Sequence, residues 1–294
     1  MSSYKLIEAE RTSFPVELMC RVLTVSRGGY YDWRDRTPSN RSRENATLTQ
    51  RIRQIHERSR NTYGSPRIHA ELRSIGTRCS RKRVERIMRE AGLRGCMRGK
   101  RRATTRRGKG ASPAEDLVKR NFVASAVDKV WVADITYIAT LEGFLYLAFI
   151  LDVYSRRIVG WAMEKHMRSE LVEDALAMAV FRRKPHQEGL LVHHSDHGSQ
   201  YTAVSFGERL KEAGITPSMG RTGTALDNAM AESFVSSLKA ELVSETEFAS
   251  REAAKRAIFE YLETFYNPRR LHSGLGYMSP AEFEEGRMKK AKAA

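Results

Sequence analysis

Residues 130–164 leave the fewest folds open to this chain. "VWVADITYIAT" (130–140) is dense in β-branched and aromatic residues, "LEG" is a turn, and "FLYLAFILDVYS" (144–155) and "RRIVGWAME" (156–164) repeat the strand pattern. Three successive strands with short connections predict an antiparallel meander. An amphipathic helix is expected next, from Glu170 to about Arg183. It is followed by a strand at "GLLVHHSD" (189–196), a helix through "VSFGERLKEAG" (204–214) and a short strand at "ITPSMG" (215–220). The predicted order is β-β-β-α-β-α-β, with helices after it.

That order is the one expected of a ribonuclease H-like α/β architecture, a mixed five-stranded sheet with helices on both faces. At 294 residues the chain exceeds one typical domain. The longest apolar run, Phe144 to Leu151, is far short of a membrane span, and the N-terminus lacks the apolar segment of a signal peptide, so a cytoplasmic protein is expected. Cys20, Cys79 and Cys96 are odd in number and unrelated in spacing, which supports neither a disulfide framework nor a Cys-based zinc finger.

The charge is unevenly placed. Residues 1–120 hold 30 Lys/Arg against 12 Asp/Glu, while residues 121–294 hold 21 against 23. A strongly basic N-terminal part joined to a nearly neutral remainder points to a polyanion-binding region, nucleic acid above all, attached to a domain with another task. Within the basic part, a helix from about Val16 to Leu23 and a second one capped by Ser26 and running to about Trp33 give a helix-turn-helix outline over residues 1–40. A second such region is expected over 41–95. Leu48, Ile52 and Ile55 share one helix face, Pro66 stands in the first turn of another helix, and Ser80 caps a third with Val84, Ile87 and Met88 on its apolar stripe. Arg81, Lys82 and Arg83 open that last helix, where groove or phosphate contacts are made in such units. Residues 96–125, with Arg101, Arg102, Arg106 and Arg107 and no acid near them, read as an extended linker able to track phosphates.

"HHSDHGSQY" (193–201) crowds three histidines and an aspartate together. Strand alternation turns His193 to one face and His194 and Asp196 to the other, so the cluster is a poor zinc cage. Asp196 instead ends a strand, where it can meet Asp134, an acid among apolar residues that is costly to bury without a cation. Glu232, early in the helix of "DNAMAESFVSSLKAEL" (227–242), offers a third carboxylate, and Lys239 lies two turns further along the same face. Glu241 is a rival third acid, and His193, His194 and His197 read better as structural or DNA-adjacent than as ligands.

Asp134, Asp196 and Glu232 match in order and spacing the DDE triad of the transposase and retroviral integrase superfamily. The words "LDVYSRRIVGWAM", "HHSDHGSQY" and "FYNPRRLHSGLGYMSPAEF" resemble the second-frame product of bacterial insertion sequences of the IS-three family. "MCRVLTVSRGGYYDW" and "YGSPRIHAELR" extend the resemblance over nearly the whole chain. It implies a DNA transposase that cleaves and joins strands at insertion-sequence ends, with an integrase catalytic core over 126–245 and a helical extension over 246–294. It also implies two Mg²⁺ ions, replaceable by Mn²⁺, held by Asp134, Asp196 and Glu232, since carboxylate oxygens are hard ligands suited to that metal. Lys239 then corresponds to the basic residue that contacts DNA near the scissile end. The implied partners are double-stranded DNA (terminal inverted repeats and target), an upstream helix-turn-helix and leucine-zipper protein joined by frameshift, and further copies of the chain on DNA. The resemblance gives no role to Tyr266, Asn267, Arg270 and His272, for which packing against the core is the simpler expectation and DNA contact the alternative. The competing expectation is a catalytically inactive DNA-binding regulator or remnant.

Overall fold

The computed structural model describes residues 2–96, 115–118, 124–185, 189–196, 198, 200–220, 228–244 and 246–293. The chain divides into two compact units, Met1–Gln54 and Ile55–Ala294. Arg101, Arg102, Arg106, Arg107, His197 and Asp227 lie outside the described residues.

The first unit holds α1 (Ser3–Glu10), α2 (Val16–Val22), α3 (Arg27–Asp35) and the start of α4 (Asn40–Arg58). Ser26 caps α3 as its spacing predicts, its hydroxyl accepting from the Gly29 N–H at 2.9 Å. Helix α1 has no counterpart in the sequence reading. Its Tyr4 and Ile7, one turn apart, pack with Cys20, Tyr30 and Trp33, and the Tyr30 hydroxyl donates to Glu8. A Cβ at Gly29 would come within 2.6 Å of the Tyr4 hydroxyl, so the glycine permits that close approach.

The second unit carries α5 (Ser65–Ser74) and α6 (Arg81–Glu90), then the sheet. Pro66 stands in the first turn of α5, and the Ser80 hydroxyl caps α6 by accepting from the Arg83 N–H. Val84, Ile87 and Met88 are buried along one stripe, while Arg81 and Lys82 are exposed and Arg83 is half-buried.

The sheet is five-stranded in the order β3-β2-β1-β4-β5, with β1 (Val130–Thr140), β2 (Gly143–Asp152) and β3 (Ile158–Glu164) antiparallel. Strands β4 (Val192–Ser195) and β5 (Thr216–Met219) join parallel to β1. Strand β2 is covered on both sides and reads as an unbroken apolar run for that reason. One face packs on α7 (Ser169–Arg183) and α8 (Val204–Glu212), where Trp131, Ala133, Ala148 and Ile150 meet Leu171, Ala175 and Phe206. Gly160 lets β3 approach α7, for a Cβ there would stand 2.8 Å from that of Ala179. The other face receives α9 (Ala229–Leu238), whose Phe234 ring lies 4.5 Å from that of Phe149. A turn of π-helix, Lys239–Val243, continues α9; α10 (Arg251–Glu260), a second π-helical stretch (Tyr261–Tyr266) and α11 (Pro280–Ala293) complete the unit.

Three details depart from the sequence reading. Strand β4 is shorter than 189–196, because its ladder spans only Val192–Ser195 and Leu190 is exposed. The meander strands are trimmed at the 152–158 turn, where buried Asp152 accepts from the backbone N–H groups of Asp128 and Ser155. Residues 115–118, expected in the linker, instead lie along β5: the Leu117 N–H donates to the Ser218 hydroxyl and Val118 is buried. Among the described residues no helix is long and apolar enough to cross a membrane.

Candidate active site

Asp134 stands mid-way along β1, its side chain on the same face as its cross-strand neighbour Phe149 and therefore toward α9. The parallel register between β1 and β4 ends at Val132↔His194, and two residues further on each strand are Asp134 and Asp196. Asp196 is exposed just past the end of β4, with one carboxylate oxygen accepting from the Gly198 N–H at 3.0 Å. Glu232 is half-buried in the first turn of α9. The start of that helix is pinned beside Asp134 by Asn228, whose amide donates to the Ala133 carbonyl at 2.8 Å.

Asp196 and Glu232 both act electrostatically on Asp134. Burial pushes the Asp134 carboxyl up to about 7, and Asp196 and then Glu232 add to the rise by like-charge repulsion, against a hydrogen bond from the Ile135 N–H. Among the described residues no three acid, histidine or cysteine side chains stand close enough to form a ready coordination set. Lys239, at the junction of α9 and the π-helical turn, places its ammonium 4.8 Å from the Tyr137 ring centroid. Burial lowers its pKa and Asp134 partly restores it. Tyr201, from the end of "HHSDHGSQY", is held neutral by burial and by the charges of Asp134 and Asp196.

His193 and His194 are turned away from the carboxylates. His194 Nδ1 is paired with the Ser218 hydroxyl across β4–β5 at 2.9 Å. His193 is buried on the α8 side with its ring 5.3 Å from Phe206, and burial, then His194, lowers its pKa to about 3. Its folded pKa is thus depressed below the unfolded value, so the unfolded chain takes up the proton first. Stability is present above about pH 6.5 and is lost as the pH falls toward 3. His193→Phe is expected to flatten that acid limb: between pH 6.5 and 4 the parent loses about 3 kcal/mol more than the variant in chemical denaturation.

Glu241, the rival acid, is spent on packing. Its carboxylate accepts two hydrogen bonds from buried Arg270, at 2.7 and 2.5 Å, and one from the Tyr261 hydroxyl at 2.9 Å. The C-terminal word without an assigned role is largely a brace. Asn267 pairs its amide with both backbone groups of Ile158 on edge strand β3, and the His272 ring meets that of Tyr266 edge-on. Tyr63, just before α5, donates to the Arg269 carbonyl and accepts from the Leu271 N–H, and Arg67 donates to the Leu271 carbonyl. The pairings of Asn267, Tyr63 and Arg67 have no local sequence signal, since their partners are more than 100 positions away in the chain.

Two family models described as an integrase core domain match residues 124–225 and 213–280, and one described as an HTH-like domain matches residues 42–101. Transposase InsF for insertion sequence IS3A of Escherichia coli (strain K12) is 38% identical over 283 residues, covering 96% of this chain and 98% of that protein. The chain belongs to the IS-three family of insertion-sequence transposases. An insertion element IS600 31 kDa protein of Shigella sonnei is 43% identical over 267 residues, 91% of this chain and 97% of that one. Among solved structures, the catalytic core domain of BIV integrase aligns at 19% identity with a TM-score of 0.41, covering 56% of this chain and 99% of that one.

Proposed function

We propose that this protein is a DNA transposase, a polynucleotidyl transferase that cleaves a phosphodiester at an insertion-sequence end and joins the freed 3′-OH to another phosphodiester. Its carboxylates Asp134, Asp196 and Glu232 would hold two Mg²⁺ ions, with Mn²⁺ able to substitute. The observation that carries this reading is the placing of Asp134, a half-buried acid, beside the strand end that bears Asp196 and the helix start that bears Glu232, whose charges with burial push it up to about 7. An oxygen-only, acid-rich donor set fits a hard divalent cation, which offsets the mutual repulsion and draws the three groups in. Bound there, such ions neutralise phosphate charge and stabilise the attacking and leaving oxygens.

The rest is work for the chain's own side chains. Lys239, half-buried between Asp134 and Tyr137, holds a phosphate near the scissile bond. Arg81, Lys82 and Arg83 at the start of α6 take duplex phosphates or base edges, with Arg101, Arg102, Arg106 and Arg107 following the backbone onward. On this reading 1–40 and 41–95 grip DNA, 96–125 links, 126–245 catalyses and 246–294 braces the core. The terminal inverted repeats and target DNA are the substrates, and the working form is an oligomer on DNA with the upstream helix-turn-helix and leucine-zipper protein.

The test is strand joining with a labelled, pre-cleaved end from the element's flanks, in Mg²⁺ or Mn²⁺, with and without the upstream protein. Metal-dependent joining by the parent and its loss in Glu232→Gln is the expected result. Joining that survives the substitution removes Glu232 from the site. DNA binding without joining under any condition supports the inactive regulator instead.

A further inference from the structure

The β1–β2 hairpin carries two aromatic rings that the core does not use. Tyr137 and Phe144 lie with ring centroids 5.0 Å apart and planes at 58°, and they are 43% and 49% exposed. Packing alone would have turned such area inward, so two adjoining rings half in water call for a partner. They are also held in place. Arg251, at the start of α10, donates from its backbone to Glu142 and from its guanidinium to the Phe144 carbonyl, both at 3.0 Å. Tyr146 backs Phe144 edge-on at 6.4 Å.

Position decides what the partner is. β4 pairs with β1 only at Val130–Val132, and among the described residues no strand pairs with that edge from Asp134 to Ala139. Lys239 rests its ammonium against the Tyr137 ring there while acting electrostatically on Asp134. Tyr137 stands three positions, about 10 Å, along β1 from Asp134 and on the opposite face of the strand. Lys239 links the two across the free edge, its ammonium meeting the ring and its charge reaching the carboxylate, a span that suits a nucleotide beside the one being cut. A cation next to two exposed rings suits a phosphate followed by a base. A frayed or overhanging strand end supplies such a base, because its terminal nucleotide has lost its pairing partner and has a stacking neighbour on one side alone.

We propose that Tyr137 and Phe144 form a stacking platform for the unpaired nucleobase next to the cleaved phosphodiester, with Lys239 taking that nucleotide's phosphate. The platform rests on the reading that the Asp134 site acts on DNA ends. It adds a ligand class, an unstacked base, and two residues that contact it. Stacking a base on an aromatic side chain tolerates any sequence, so the platform favours frayed or overhanging ends over blunt ones.

The experiment uses the full chain in Ca²⁺ and a duplex ending in one unpaired 2-aminopurine, with the same probe paired inside a blunt duplex as reference. Binding of the parent and of Tyr137→Phe is expected to quench the unpaired probe several-fold. The Tyr137→Ala/Phe144→Ala protein is expected to leave it bright and to lose roughly 10- to 100-fold in affinity for the overhung end, with blunt-duplex affinity unchanged. Equal quenching by parent and double-alanine protein, or equal loss for both duplexes, overturns the platform. So does a change in oligomeric state on sedimentation without a change in quenching, which would make the rings a protein contact. The joining assay on Glu232→Gln reads the carboxylates and this one reads the rings. Joining lost in Glu232→Gln together with unchanged quenching in the double variant therefore defeats the platform alone.

Discussion

Asp134→Asn is expected to lose joining by roughly 10³-fold or more, the scale of removing a preorganised charge-stabilising group, and yet to make the metal-free protein more stable above neutral pH. The two effects share one cause. The Asp134 carboxyl is raised from 3.8 to about 7, so the folded protein holds that proton more tightly than the unfolded chain. Its contribution to stability is present below about pH 4 and is lost as the pH climbs through 7, at a cost on the order of 4 kcal/mol once ionised. Asparagine carries no charge to bury. Denaturation at pH 4 and pH 8 checks this: the variant's advantage should be small at pH 4 and open by pH 8. Mg²⁺ should then stabilise the parent alone and close the gap. An equal response of both proteins to Mg²⁺ would dissociate Asp134 from the metal.

Glu241→Ala is expected to cost about 3–5 kcal/mol, the penalty for stranding one member of a buried ion pair. Arg270 is 2% exposed, and its guanidinium donates twice to Glu241, the acid that also accepts from Tyr261. With Glu241 gone, the cation stays buried without its carboxylate. Glu241→Leu with Arg270→Met should recover most of the loss, since replacing both charges by apolar groups removes the desolvation cost as well as the attraction. Urea titrations of the single and double variants test this, and additive losses would mean that the two residues act independently.

The sheet was legible because its signals are local. Val130–Thr140 is dense in β-branched and aromatic residues, β2 is an apolar run, and Ser26 and Ser80 stand where helix caps belong. Asp134 was conspicuous for the same reason, as a charge set in a strand of apolar neighbours. Helix α1 was not legible: with Leu6 exposed, it owes its place to Tyr4 and Ile7 meeting Tyr30 and Trp33 from further along the chain. Asn267 and Arg270 were legible only as packing against the core and Asn228 only as shaping the loop into α9, without the partners that each one holds. Asn267 joins a backbone 109 positions away and Asn228 one 95 away, and such distances leave no periodic trace.

Tyr63 and Arg67, at the entrance to α5, are hydrogen-bonded to the backbone of Arg269 and Leu271, and Arg60 is paired with Glu260. The helical pair that presents Arg81 and Lys82 therefore does not swing freely with respect to the sheet that presents Asp134. For a DNA that touches both within one protein copy, the fold acts as a caliper. The number of base pairs between the gripped sequence and the reacting phosphate is set by protein geometry. On the proposed function, sliding the gripped sequence by half a helical turn would put the reacting phosphate on the far side of the duplex.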